Sequence, residues 1–166
     1  MQTLGFRTLY VLLFVAHARR EIVHLNVTAH PTAAWVWRQL IAATPWGRVP
    51  RYLVRDRDAV YGRDFVARAS DLGIETVLAP VRAPRANAVA ERLVGTLRRE
   101  CLDHVIVLNE AHLRAVLAEY AAFYNAERPH RTLELGTPIQ RIRPASGPSP
   151  ASPVLGGLHH SYERVA

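Results

Sequence analysis

Asp56, Asp58 and Glu91 are the residues of this chain whose types and positions suit phosphoryl-transfer chemistry. The two aspartates sit in Arg55-Asp56-Arg57-Asp58, directly after the apolar stretch Tyr52-Leu53-Val54. Glu91 follows Ala88-Val89-Ala90. Carboxylates are hard oxygen donors, and a pair such as Asp56 and Glu91 suits Mg²⁺ or Mn²⁺, cations that keep several waters and accept phosphate oxygens. Two such ions about 3.5–4 Å apart activate the attacking oxygen and stabilise the leaving one in an in-line displacement at phosphorus. Arg82, Arg85, Arg98 and Arg99 flank the glutamate. Their guanidinium forks match phosphate oxygens bidentately, so these four are the candidate DNA-binding residues.

Such a site needs elements to hold it. Arg51 to Val54 reads as a short strand that delivers Asp56 to its carboxyl end, where open α/β sheets place their sites. Phe65 to Leu72 reads as a helix closed by Gly73, and Ile74 to Leu78 as a second strand; that order favours a parallel pair. Ala79 to Asn87 reads as a loop. From Ala88 to about Cys101 the spacing predicts a helix with Ala90, Leu93, Val94, Leu97 and Cys101 inward, which turns Glu91, Gly95 and Arg98 outward.

Upstream, Thr8 to Ala16 and Ile22 to Val27 predict an antiparallel pair. A helix then starts near Pro31 with Ala34, Trp37, Leu40, Ile41 and Thr44 on its inner face. Downstream, Asn109 caps a helix to about Asn125 whose apolar side is Leu113, Val116, Leu117, Tyr120 and Tyr124. Residues 1–138 form the core in this reading. The Pro-, Ser- and Gly-rich residues 139–166 form a flexible tail, in which His159 and His160 are expected to be solvated.

The 166 residues carry a formal charge of +7, and all 21 basic residues are arginine. That excess favours a polyanionic partner, nucleic acid first. The one cysteine, Cys101, excludes an internal disulfide and a cysteine-based zinc centre and reads as a small buried hydrophobe. Arg7, the run Leu9 to Ala16 and Ala16-His17-Ala18 imitate a signal peptide, but the run is too short for a span of about 20 apolar residues and reads equally as a buried strand. A cytoplasmic protein with no membrane association and no small-molecule substrate is the expectation. Oligomeric state is not legible.

From Asp56 onward the sequence resembles the integrase core of insertion-sequence transposases and retroviral integrases. The resemblance rests on Asp56 followed by Tyr61 and Phe65, on Pro84, Asn87, Ala88 and Glu91, and on Tyr124-Asn125, Arg128-Pro129-His130, Leu133 and Thr137-Pro138. It covers roughly residues 5–138. It implies a ribonuclease-H-like α/β fold, a mixed sheet flanked by helices, that cuts and joins DNA with two divalent metals. Asp56 matches the second acidic ligand and Glu91 the third, and Arg98 stands where the family commonly has a basic residue close to DNA. Asp58 occupies a position where glycine is common, so both aspartates stay in play, with Asp56 favoured.

No aspartate precedes Asp56, and Glu21, the first acidic residue, lies at a turn. The resemblance therefore implies that the family's first strand and its catalytic aspartate are absent here and that catalysis is impaired. A non-catalytic basic DNA-binding or partner-binding remnant is the alternative. His130 is expected to be structural, and Arg128 to meet either an acidic neighbour or DNA.

Overall fold

β1 (Tyr10–Ala16) and β2 (Glu21–Thr28) pair antiparallel, with Tyr10 opposite Thr28 and Ala16 opposite Glu21. The computed structural model describes residues 1–45, 49–62, 64–79, 88–141 and 146–164. β1 is a continuous apolar run because both of its faces are covered. Val11, Leu13 and Val15 pack into one core and Leu12 and Phe14 into another, as the two-residue period of a strand requires. This strand contains the run that imitates a signal peptide, and no helix among the described residues is long and apolar enough to cross a membrane.

β2 carries a bulge. Phe14 pairs with His24 and Val15 with Ile22, which leaves Val23 without an opposite residue. The inserted residue switches side-chain parity, so Ile22 joins Leu25 and Val27 in the first core. On the other face, His24 Nε2 lies 3.0 Å from Gln39 Oε1, and Asn26 Nδ2 donates to the same oxygen at 2.7 Å.

α1 (Ala33–Ala43) begins at Thr32, whose hydroxyl accepts from the Trp35 N–H. Its buried face is Val36, Gln39, Leu40 and Ala43, whereas Ala34 and Ile41 are exposed. The expected inner face, Ala34, Trp37, Leu40, Ile41 and Thr44, is thus rotated by about one position. The cause is Gln39, a polar residue that is buried because His24 and Asn26 satisfy its carbonyl oxygen. Trp35 and Trp37 pack against the second core, with Trp37 edge-on to Phe65.

β3 (Tyr52–Arg55) and β4 (Glu75–Leu78) are parallel and joined through α2 (Phe65–Asp71), as the strand-helix-strand order predicts. Gly73 closes the helix at φ 77°, a left-handed conformation that glycine adopts without a Cβ clash. Phe65, Ala69 and Ile74 complete the second core with Val36 and Leu40. Leu12 and Phe14 of β1 and Leu53 of β3 all pack against that core. Among the described residues these strands nevertheless pair two by two, β1 with β2 and β3 with β4, and no ladder joins the two pairs.

α3 (Ala88–Glu100) and α4 (Glu110–Ala126) cover the first core. Asn109 caps α4 by accepting from His112 N at 2.9 Å. Leu113 and Leu117 are fully buried, and each burial contributes about 1.5–3 kcal/mol. On α3 the inner residues are Leu93, Thr96 and Leu97, while Val94, expected inward, is exposed. Cys101 is buried, and desolvation pushes its thiol up to about 11, so it behaves as the small hydrophobe expected.

Within residues 139–166, β5 (Ala151–Val154) and β6 (His159–Tyr162) form an antiparallel hairpin against α4. His159 is half-buried rather than solvated. Its ring stacks on Phe123 at 4.7 Å, and its Nε2 lies 2.7 Å from the Glu100 carbonyl oxygen. The Leu155 N–H donates to Glu119 at 2.6 Å.

Candidate functional site

Asp56 is the first residue beyond β3, at the carboxyl end of a parallel strand. It is exposed, and its Oδ1 accepts a long bond from Asp58 N at 3.3 Å. The Asp58 carboxylate has a different task. Its Oδ1 accepts from Val60 N at 2.9 Å and so caps the short 3₁₀ turn Ala59–Tyr61. Asp56 is the less committed of the two. Tyr61 lies close to both: its hydroxyl is pushed up to about 12 by desolvation and then by the Asp56 charge. Arg55 stacks over the Tyr61 ring at 5.0 Å and donates to the Asp56 carbonyl oxygen at 3.2 Å. Its Nε is buried without a hydrogen-bond partner among the described residues.

Glu91 is exposed in the first turn of α3, where the positive end of the helix dipole favours a carboxylate. As expected it faces away from the core, and so does Arg98. Arg98 and Arg99 are exposed in the last turn of the helix. Arg99 folds back over Gly95, where an added Cβ would meet its Nη1 at 3.1 Å. Arg82 and Arg85, and with them Pro84 and Asn87, lie outside the described residues.

Asp56 and Asp58 are thus brought together, whereas Asp56, Asp58 and Glu91 do not form a metal-holding group. Among the described residues no group of three or more His, Cys, Asp or Glu side chains could hold an ion. The donors themselves are carboxylate oxygens, the type that hard divalent cations take.

Downstream, the sequence predicts a structural His130 and an Arg128 that meets an acidic neighbour or DNA, and it assigns no partner to Asn125 or Tyr120. Arg128 meets an acidic neighbour: its Nε and Nη2 donate to the two Glu100 oxygens at 2.7 and 2.6 Å. The Tyr120 hydroxyl donates to the same carboxylate at 2.8 Å. Asn125 clasps the backbone of Ile22, accepting from its N–H and donating to its carbonyl, both at 2.9 Å. His130 is buried and edge-on to Tyr124, with Nε2 3.3 Å from the Tyr124 carbonyl oxygen. Desolvation holds it below the usual imidazole range, so it is neutral at pH 7 and structural, as expected. The clue to all of these was the Tyr124-to-Pro138 motif, whose partners on β2 and α3 are far away in sequence.

That motif ends in a tight turn. His130 N donates to the Gly136 carbonyl at 3.0 Å, and Gly136 N donates to the Leu133 carbonyl at 2.7 Å. An added Cβ at Gly136 would stand 2.9 Å from the Leu133 oxygen, a backbone atom that cannot swing away. Gly136→Ala is therefore expected to cost about 1–3 kcal/mol in denaturant unfolding. A variant as stable as the parent would show that the turn yields.

Residues 72–138 match the integrase core domain, a span that contains Glu91, Arg98 and the whole Tyr124-to-Pro138 motif. The insertion element IS476 uncharacterized 39.2 kDa protein of Xanthomonas euvesicatoria is 31% identical over 155 residues, 90% of this chain and 45% of the relative. The insertion element IS407 uncharacterized 31.7 kDa protein of Burkholderia multivorans is 30% identical over 126 residues, 73% of this chain and 44% of the relative. The chain thus spans less than half the length of these curated relatives. The chain is thus similar to the integrase core domain over residues 72–138 and to insertion-element proteins over most of its own length.

Proposed function

We propose that this chain serves DNA transposition or integration, with Asp56 and Glu91 as ligands of Mg²⁺ or Mn²⁺ and Arg82, Arg85, Arg98 and Arg99 as contacts to DNA phosphates. The observation that carries the reading is the integrase core match over residues 72–138, which includes Glu91. Exposure of both carboxylates leaves them free for a cation, and the Asp58 cap supports Asp56 as the ligand. When bound, the metal would supply Lewis-acid activation at phosphorus. The arginines would orient the phosphodiester, and Arg55, stacked on Tyr61, would steady the turn that presents Asp56. In this reading residues 1–138 are the core, the protein is cytoplasmic, and DNA is the partner.

A ribonuclease-H-like arrangement belongs to the same proposal. Leu12 and Phe14 of β1 and Leu53 of β3 reach one core although the strands do not pair. They behave as members of one layer. A non-catalytic DNA-binding role has one observation in its favour: the described residues hold no group of three metal-binding side chains.

Mn²⁺ titration of the intact chain, followed by electron paramagnetic resonance, tests the metal assignment. Asp56→Asn and Glu91→Gln are each expected to weaken Mn²⁺ binding by about tenfold, the loss of one charged ligand, while Asp58→Asn changes it less. Equal affinity in all three variants removes both carboxylates from the site. If the metal site fails this test while the chain still binds duplex DNA, the non-catalytic reading takes its place.

A further inference from the structure

We propose that a second surface, the cavity between the first turns of α3 and the turn after α4, holds a backbone phosphate of nucleic acid through Arg20, Arg92 and Arg131. The proposal takes the identity of the polymer from the function above and is independent of the metal site.

The cavity measures about 460 Å³, and Arg20, Arg92, Arg128 and Arg131 all line it. They come from separate places in the chain: the β1–β2 turn, α3 and the segment after α4. Arg128 is committed, since Glu100 takes its Nε and Nη2. The other three have no ion pair or side-chain hydrogen bond among the described residues, and no carboxylate lines the cavity. Like charges converging on a concave surface repel one another, and a bound anion relieves that repulsion.

The backbone also holds this surface in a costly shape. Arg20 sits at φ 61° and Leu135, which also lines the cavity, at φ 65°. Side-chain-bearing residues adopt this left-handed region at a cost, and such positions cluster at ligand clamps. Leu135 N and Leu133 N both donate to the His130 carbonyl, which fixes the turn carrying Arg131. Ala88 and Val89 bring the positive end of α3 to the same cavity.

A phosphodiester fits better than a free anion. Val89, Leu93, Pro129 and Leu135 interleave apolar surface with the arginines, suited to the sugar beside a backbone phosphate, and the chain carries +7 overall.

Fluorescence anisotropy of a short labelled duplex, titrated with the intact chain in EDTA at two salt concentrations, reads the site without metal. The Arg92→Gln, Arg131→Gln double variant is expected to bind about tenfold more weakly and to lose about two from the slope of log K against log salt. The corresponding double lysine variant recovers most of the affinity, and Arg38→Gln, an exposed arginine on α1, leaves it unchanged. Arg20→Gly lowers affinity severalfold without lowering the melting temperature, because glycine takes φ 61° freely. An unchanged double variant, or an equal loss in Arg38→Gln, overturns the proposal. So does inorganic phosphate that binds through these arginines as tightly as the duplex does. Because the duplex is read in EDTA, failure of the metal assignment and failure of this one are separable.

Discussion

Arg128→Ala is expected to lower the unfolding free energy by about 2–4 kcal/mol, somewhat under the 3–5 of a fully buried broken pair. Both guanidinium bonds to Glu100 are short, at 2.7 and 2.6 Å, and the two side chains are only 25% and 31% exposed. Alanine would leave the Glu100 carboxylate half-buried with Tyr120 as its remaining side-chain donor. It would also remove the guanidinium that lies 5.7 Å from the Tyr124 ring centre. The residual exposure of the pair keeps the expected cost below the buried limit. Urea unfolding at pH 7 measures it, and a loss of under about 0.5 kcal/mol, the range of ordinary surface changes, would show the pair to be idle.

Acid should act on the same contact. Burial alone pushes the Glu100 carboxyl up, but the hydrogen bonds from Arg128 and Tyr120 and the Arg128 charge bring it net below its ordinary value. A carboxyl depressed in the folded state contributes stability that is fully present above its unfolded pKa of about 4.3 and is lost as pH falls through the folded value. Glu100→Gln should therefore be less stable than the parent at pH 7 and show a smaller further loss below pH ~4.3. The consequence reaches the candidate site, because Glu100 ends the helix whose first turn carries Glu91. Arg128 anchors one end of that rod, and its loss should loosen the carboxylate at the other.

The sequence showed most elements because their signals are local. Asn109 as a cap, Gly73 as a left-handed stop and the apolar runs of β1, β3 and β4 each depend on a few neighbouring residues. Legibility failed where a distant partner decides the outcome. Gln39 is inward because residues on β2 satisfy it, and no helical periodicity in α1 encodes that. Ile22 lies out of phase with Leu25 and Val27 in a regular strand, and only the bulge at Val23 brings it to the same core. At the site, the exposure of Glu91 and the strand-end position of Asp56 followed from local pattern. The capping role of Asp58 depends on the 3₁₀ turn after it, and the Glu100–Arg128 pair joins residues from two different parts of the fold. The Tyr124-to-Pro138 motif thus does much of its work in architecture: Tyr124, Asn125, Arg128 and His130 fasten the end of α4 to β2 and α3.

Asn125→Asp tests that fastening most sharply, with an expected loss of about 2–4 kcal/mol at pH 7 from one lost donor and one uncompensated charge. The Asn125 amide acts as a neighbouring strand would, filling the N–H and the carbonyl of Ile22 at 2.9 Å each. The backbone carbonyl of Asn125 accepts from Ile139 N at 2.8 Å, so one residue ties β2 to α4 and to the chain beyond Pro138. Aspartate keeps the shape and the acceptor for Ile22 N, but its second oxygen then confronts the Ile22 carbonyl. Protonation would restore the donor. The carboxyl introduced at 125 should accordingly be raised in the folded state, and the deficit of the variant relative to the parent should shrink as pH falls through that raised value. This is opposite in sign to the acid loss expected from Glu100. Urea midpoints of parent and variant at pH 7 and pH 4.5 separate the two effects, and a deficit that does not shrink in acid would show that the lost donor is not the cause. Alanine at 125 should cost less than aspartate and show no such recovery, because it leaves the Ile22 groups unpaired without adding a charge. Either change opens the edge of β2 that Asn125 now closes, so both variants should self-associate more readily by light scattering as that edge becomes free to pair.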